Sequence, residues 1–451
     1  MTGRDLARAV LERVDVGGAF ANRALSAALD RAPTLSAAER GLATELVYGV
    51  LRRRARLDRA LDALAPRGLG GVDPAVRMAL RLGAYQLLFL DRVPAYAAVN
   101  ETVDACKRRG GPGVGRLANA LLRRLAERGE PPLPDPTLDP RAYLVEAAGL
   151  PPWLARLLLA ELRPADAVAF ADSVGAPAPL ALRANTLRAT RAQVLERLRA
   201  ERPDARIEAS PLAPDALLAR DLDALTATTA FRDGLVSVED TGAQVVAELC
   251  EARAGERILD ACAGLGGKSA HLAALAGNGA RIDALDLSSS KLSEARQAFA
   301  RLGVTGVTTA VADLTAPLPD GAARFDRVLL DAPCSGLGVL RRHPEALGRR
   351  TPADLPRLAD QQTRLLATLA PLVAPGGVLT YSVCTFERLE CEDVVTAFLG
   401  THPDFRVEPP APSPRVPWAR LTDAAGFVRT WPQRDDADAF FAARLVRWRS
   451  K

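Results

Sequence analysis

Paired metal ligands are missing from this sequence. Its six cysteines (Cys106, Cys250, Cys262, Cys334, Cys384 and Cys391) include no CxxC pair, and His271, His343 and His402 are its only histidines. That spacing excludes the common zinc modules and argues against a disulfide framework, so no metal is expected. Missing too is any apolar run of the roughly 18 to 20 residues that a spanning helix needs. The opening MTGRDLARAVLERV alternates charged with apolar positions instead of building the apolar centre of a signal peptide. A cytoplasmic protein without membrane contact is expected, and a monomer. Internal repeats and low-complexity tracts are absent as well.

What is present is the balance of a folded globular chain, with 48% hydrophobic and 25% charged residues. Its 451 residues exceed one ordinary core, so two or three domains are expected. The formal net charge of +5 is unevenly placed: residues 1–135 hold 22 Lys and Arg against 15 Asp and Glu, and the remainder is close to neutral. A basic surplus concentrated in one region favours a phosphate-backbone partner, although a solvated Arg-rich face would look the same.

From Thr2 to about Arg128 the apolar spacing is helical, as in ERGLATELVYGVLRRRARLDRALDAL and VRMALRLGAYQLLFL. The run EPPLPDPTLDP then denies a helix both its donors and its geometry. This predicts a helical domain over 1–130 and a Pro-rich linker over 131–140. Residues 141–233 read as helices followed by a small α+β unit, with a strand in PLALRAN and a helix in RAQVLERLRAE. Over 234–451 the alternation becomes regular. ERILDACA, RIDALDL, GVTTAVAD, FDRVLLDAP and GGVLTYSVC are strand-like runs separated by helical stretches such as KLSEARQAFARL, which predicts a doubly wound, mostly parallel α/β sheet. Ligands of such sheets bind beyond the C-terminal strand ends.

The first of these runs ends in DACAGLGGKSAHLAAL, where Gly264, Gly266 and Gly267 permit a tight turn into a helix N-terminus. A P-loop is excluded because Cys262 stands where its first glycine belongs, and the dinucleotide GxGxxG spacing is absent. Asp286 closes the next run, where a carboxylate can accept both hydroxyls of a ribose, and Asp313 ends the third, within reach of an adenine. Either aspartate alone reads equally well as a helix cap or a turn residue.

The fourth run ends in DAPCSGLGVLRRHPE and the fifth in TYSVCTFERLECEDVV, which puts Cys334 and Cys384 at neighbouring strand tips. A single cysteine there would be a small buried hydrophobe; two at adjacent ligand-side tips point to chemistry. With these motifs the run 234–446 resembles the catalytic domain of the NOL/NOP/Sun family of RNA cytosine-C5 methyltransferases, whose signatures are a PCS tip and a TC[ST] tip. Here they read Pro333-Cys334-Ser335 and, with Val for the first Thr, Val383-Cys384-Thr385. Residues 1–130 resemble the NusB RNA-binding fold in LATELVYGVLRRRARLD and LRLGAYQLLFLDRVPAYAAVNETVDACKRRG. The combination is similar to bacterial enzymes that methylate 16S rRNA. The family's usual CAAPGGKT is CAGLGGKS here, Ala439 replaces the glycine before the paired phenylalanines, and Cys391 interrupts the acidic stretch after the second cysteine.

The resemblance implies an all-α NusB-like domain, a small α+β unit and a Rossmann-like class I methyltransferase domain. It implies S-adenosylmethionine as cofactor, held by Cys262, Ala263, Gly264, Leu265, Gly266, Gly267, Lys268, Asp286, Asp313 and Asp331, and 16S rRNA as partner. It assigns attack on cytosine C6 to Cys384, product release to Cys334, and positioning of base and cofactor to Asp331. DNA cytosine methylation, which uses the PC-tip cysteine alone, is disfavoured by the second cysteine, and amino-group methylation by DAPC in place of [DN]PP[YFW]. An RNA-binding assembly factor with a relic methyltransferase half would not be expected to keep both cysteines and three aspartates.

Overall fold

The computed structural model describes residues 2–65, 68–316 and 324–448. Its contacts group into two compact units, one of residues 1–177 with 340–350, the other of residues 178–339 with 351–451.

The first unit is helical. Helices Gly3–Asp15, Ala21–Asp30, Ala37–Arg52, Arg54–Asp62, Pro74–Phe89 and Ala95–Arg128 match the sequence periodicity. Thr2 opens the first of them with a capping box closed by Asp5. The long last helix kinks at Gly111, which has φ +81°, because Pro112 supplies no N–H and bars its predecessor from helical geometry. Leu6, Leu11, Leu46, Leu57, Leu80 and Leu122 meet in one core. Within it the nearly buried Arg81 guanidinium pairs with Asp58 through two 2.7 Å bonds, as a buried cation must.

The proline run is not the seam between the compact units. Arg59 donates to the carbonyls of Pro131 and Pro132, and Arg56 pairs with Glu130, so the run lies along the helices. Helices Pro152–Glu161 and Pro164–Gly175 belong to this same unit, where the sequence groups them with the α+β segment that follows. So do residues 340–350, which follow the second glycine of the DAPCSGLGV run. Glu345 accepts from the Ala21 N–H, and Arg349 donates to the Ala19 carbonyl while its guanidinium lies over Phe20.

The second unit contains two sheets. Strands β1 (Leu180–Ala184), β2 (Arg206–Ala209), β3 (Ala216–Arg220) and β4 (Val236–Val238) form an antiparallel sheet in the order β2-β3-β1-β4, with helix Arg191–Glu201 where RAQVLERLRAE predicts it. The larger sheet comprises β5 (Arg257–Asp260), β6 (Arg281–Asp286), β7 (Val307–Val311), β8 (Phe325–Asp331), β9 (Val373–Val383), β10 (Phe405–Val407), β11 (Val428–Arg429) and β12 (Phe441–Arg447). Its order is β10-β12-β9-β8-β5-β6-β7, with β11 paired to β12. The pairings from β7 through β9 are parallel, as the alternation predicts. The antiparallel β10, β11 and β12 were not anticipated, since strands of two to seven residues lack a crossover-length spacer to announce them.

Both faces of this sheet are covered, so its inner strands read as continuous apolar runs rather than alternating ones. Leu259, Val328 and Leu330 pack with Leu365, Leu366 and Leu369, while their neighbours Ile258 and Leu329 pack with Val246 and Leu272. The order reverses between β5 and β8. That is the switch point at which doubly wound sheets open a crevice. Among the described residues no helix is long and apolar enough to cross a membrane.

Candidate active site

The loop after β5 is shaped by two residues with left-handed backbone. Gly266 has φ +75°, and a Cβ there would lie 2.6 Å from the Phe299 ring; Gly264 has φ +56° and open space where a Cβ would stand. The first glycine lets helix Gly267–Leu275 start against its neighbour, and the second leaves room beside the backbone. Asp286, at the end of β6, accepts from the Gly264 N–H (2.9 Å) and the Ser288 N–H (2.8 Å), which ties the loop to the next strand.

These groups border a cavity of about 320 Å³, the lower end of the range for small-molecule sites. Of the residues assigned to the cofactor from sequence, Cys262, Gly264, Asp286, Asp313 and Asp331 line it. Ala263, Gly266 and Gly267 build the turn instead: the Ala263 N–H donates to the Leu285 carbonyl, and the Gly266 N–H to the Ala263 carbonyl. Leu265 is half exposed. Asp313 accepts from both the hydroxyl and the N–H of Thr315, and these bonds hold its carboxyl below the usual range. Sequence reasoning missed Leu287, Ser288, Lys291, Leu314 and Gln361, which also line the cavity. Leu287, directly after Asp286, is 63% exposed, and no signal in the sequence singles it out.

Lys268 does not reach the cavity lining. Its ammonium lies 2.6 Å from Asp331 Oδ2, with the Phe440 ring 5.3 Å away. Burial works against its charge, but Asp331 outweighs that and raises its pKa. The other oxygen of Asp331 accepts from Ser382 Oγ at 2.8 Å. Both carboxylate oxygens are therefore fixed, one by a cation and one by a hydroxyl on the adjacent strand. Neither Ser382 nor the Lys268–Asp331 pairing was read from sequence, because residues 63 positions apart meet only through sheet order.

β8 and β9 are parallel neighbours with Asp331 opposite Ser382, so the turns that follow them carry Cys334 and Cys384 to one place. Their sulfurs are 3.3 Å apart, in contact without a disulfide. The bond to Cys384 and burial push the Cys334 thiol well above its ordinary range. The hydroxyls of Ser335 and Thr385, the residues after each cysteine, are 2.9 Å apart and link the tips a second time. Burial also raises other thiols, Cys106 to about 11, and Cys250 and the cavity-lining Cys262 to about 12.

One other cluster has the composition of a metal site. Asp215, Glu248 and His271 are buried with ligand atoms within 4.8 Å of one another. Arg415 pairs with Glu248 at 3.0 Å, and Arg183 with Glu239, which in turn faces His271 at 3.6 Å. Arg415 meets the charge of Glu248, while Asp215 Oδ2 and both ring nitrogens of His271 are buried without a hydrogen-bond partner among the described residues.

Comparison with known proteins decides the family. The description "16S rRNA methyltransferase RsmB/F" matches residues 247–446, "NusB family" residues 1–127, and a ferredoxin-like domain of RsmF/B-like methyltransferases residues 150–221. The chain is 35% identical to a probable ribosomal RNA small subunit methyltransferase B of Bacillus subtilis, with 98% of each covered. It is 38% identical to the ribosomal RNA small subunit methyltransferase B of Thermus thermophilus, over 100% of this chain and 99% of that one. The chain belongs to this methyltransferase family. Among solved structures, that of PH0851 superposes over 99% of both chains with a TM-score of 0.81 at 25% identity. A methyltransferase homolog from Pyrococcus horikoshii, also 25% identical, covers 67% of this chain and 97% of its own with a TM-score of 0.57. The cofactor is S-adenosylmethionine, and the open glycine turn, the Asp286 carboxylate and the cavity volume fit it.

Proposed function

We propose that this protein methylates carbon 5 of a cytosine in 16S rRNA through a covalent adduct between Cys384 and C6 of the base. The observation that carries the reading is the contact of Cys334 with Cys384, with Cys334 directly after Asp331, Ala332 and Pro333, which line the cofactor cavity. Two thiols in contact serve a reaction in which one bonds the substrate and the other assists its departure. An amino-group or ribose methyltransferase has no use for the pair.

Carbon 5 of cytosine is a weak nucleophile. Attack by the Cys384 thiolate forms an S–C6 bond and moves the electron pair of the C5–C6 double bond toward C5. When bound, the cofactor supplies an electrophilic methyl group on its sulfonium. Asp331, held by Lys268 and Ser382, is placed to bond N3 or the exocyclic amine and to stabilise the adduct. After methyl transfer the C5 proton leaves to a base, the S–C6 pair returns to sulfur, and the ring double bond is restored. Cys334 assists this second half, and its hydrogen bond to Cys384 and its burial hold its thiol above the ordinary range.

With S-adenosylmethionine bound, Asp286 would hold the ribose hydroxyls and Asp313 the adenine edge, with Cys262 and Gly264 beside them in the cavity lining. The base must leave its stack to expose C6, at a cost of a few kcal/mol that RNA binding offsets. Residues 1–130 supply that binding through phosphates: Lys107, Arg116 and Arg124 are exposed along helix Ala95–Arg128. Single alanine variants of the two cysteines test the reading: Cys384→Ala should lose both methylation and any covalent protein–RNA band, and Cys334→Ala should accumulate that band.

A further inference from the structure

A buried carboxylate stands behind the cysteine pair, and the chemistry above leaves it unused. Glu390 is 0% exposed, and its Oε2 accepts from the Ser335 N–H (2.8 Å) and from Gln362 Nε2 (2.9 Å). Gln362, equally buried, also donates to the Pro333 carbonyl (3.0 Å). The Tyr381 hydroxyl donates to the Glu390 carbonyl (2.6 Å) and faces Gln362 Oε1 (3.1 Å). Both residues that flank Cys334 therefore bond this cluster through their backbone, one by its N–H and one by its carbonyl. Burying a carboxylate is costly unless it is paired and hydrogen-bonded, so an apolar filler would be the cheaper way to close a turn.

We propose that Glu390 and Gln362 are positioning residues for Cys334: they clamp the Pro333–Ser335 turn so that its thiol stays against Cys384 through the release half of the reaction. Three placements support this. The clamp touches the turn on both sides of Cys334. It comes from outside the β8 tip, since Gln362 lies on helix Asp354–Leu369 and Glu390 in the turn that follows Cys384. One loop, Cys384–Glu390, thus carries both the attacking sulfur and the group that fixes its partner, so the two cysteines keep a common register. Glu390 also adds to the forces that hold the Cys334 thiol above its ordinary pKa, after the bond to Cys384 and burial.

The inference rests on the adduct mechanism proposed above, and it alters no bond in it. It states where Cys334 stands while the C5 proton leaves and the S–C6 bond breaks. Merely structural residues would slow attack and release together, in proportion to lost folding. A clamp on Cys334 alone slows release and spares attack.

The test uses the full chain with the variants Gln362→Leu, Glu390→Ala and Glu390→Gln, assayed on 16S rRNA. Single-turnover C5 methylation, multiple turnover and the denaturant-resistant protein–RNA band are measured beside the melting temperature. Gln362→Leu and Glu390→Ala are expected to methylate at near wild-type rate in the first turnover. Turnover should then fall at least about tenfold, the scale of one lost buried hydrogen bond, while a band containing methylated RNA accumulates. Glu390→Gln keeps an acceptor oxygen and is expected to regain most of the turnover. If Glu390→Ala fails to fold, Gln362→Leu with the same readouts decides. First-turnover and steady-state rates that fall together without a band would overturn the clamp. Absence of C5 methylation or of any band dependent on Cys384 in the wild type would overturn the mechanism beneath it.

Discussion

Asp260 offers a quantitative check of the electrostatics beneath the cofactor loop. It ends β5, is 1% exposed, and takes one hydrogen bond, from Ser269 Oγ at 2.6 Å. Burial raises its pKa to about 6, and the Ser269 bond recovers only part of that cost. In the unfolded chain the ordinary value is about 3.9. Because the folded value is the higher one, the folded state holds this proton more tightly. Its contribution to stability is complete below about pH 4 and is lost as pH rises through about 6. Two units at 1.36 kcal/mol each make that loss about 3 kcal/mol above pH 7, of which about half has occurred by pH 5. Asp260→Asn removes the titration. It also places an amide N–H₂ where Asp260 Oδ1 has no partner, so its absolute stability carries an unknown offset. The pH-dependent part does not. Melting temperatures of wild type and variant from pH 5 to pH 8 should diverge, the variant gaining about 1 to 2 kcal/mol relative to wild type over that interval. At roughly 2 to 4 °C per kcal/mol for a unit of this size, the relative gain is several degrees. Curves that stay parallel across the interval would refute the buried, proton-holding description of Asp260.

Other outcomes follow from the site. Asp286→Ala should weaken S-adenosylmethionine binding in titration calorimetry; unchanged affinity would remove Asp286 from the site. Gly266→Ala must place a Cβ against the Phe299 ring in left-handed backbone, which costs about 1–2 kcal/mol before the clash, so both thermal stability and cofactor affinity should fall. Replacing Lys107, Arg116 and Arg124 by alanine should lower the slope of log K against log salt for RNA by up to about 2 to 3, with the proposed phosphate contacts withdrawn if the slope does not move. Mild oxidation with diamide should join Cys334 to Cys384, since 3.3 Å is already contact distance. Peptide mapping would show the crosslink and thiol reductant would restore activity; a protein that keeps both thiols under diamide would show the contact to be sterically closed to bonding.

Much of the catalytic sheet was legible because each parallel strand is a short apolar run ending in a residue that has work to do. Asp286, Asp331 and Cys384 all stand at strand ends that the runs RIDALDL, FDRVLLDAP and GGVLTYSVC announce. Strand order was legible only in part. The neighbouring tips of Cys334 and Cys384 were expected from consecutive runs, but that β8 lies beside β5, which brings Lys268 to Asp331, is encoded by nothing local in CAGLGGKS or DAPCSG. Gln362 and Glu390 escaped for the same reason. A glutamine in the amphipathic stretch DLPRLADQQTRLLATL reads as a solvated position, and only the folded helix shows it turned inward to the Pro333 carbonyl. Composition marks a boundary at 131–140, and the NusB match ends at 127 with the next starting at 150, whereas the contact grouping carries the first unit on to residue 177. Five prolines forbid a helix over 131–140, but they do not forbid packing, and Arg56 and Arg59 bind that stretch to the helices before it. The surplus of positive charge in the N-terminal residues was visible; which of its arginines face solvent was not.

The division of labour between the two cysteines is the central claim, and the covalent band measures it most directly. Wild type, Cys384→Ala, Cys334→Ala and the double variant are incubated with 16S rRNA and S-adenosylmethionine, then resolved on a denaturing gel containing thiol. With Cys384 as nucleophile, Cys384→Ala neither methylates nor forms a band. Cys334→Ala accumulates a band whose RNA is already methylated at C5, and the double variant loses it. A band retained in Cys384→Ala and missing in Cys334→Ala would contradict the account and assign the attack to Cys334.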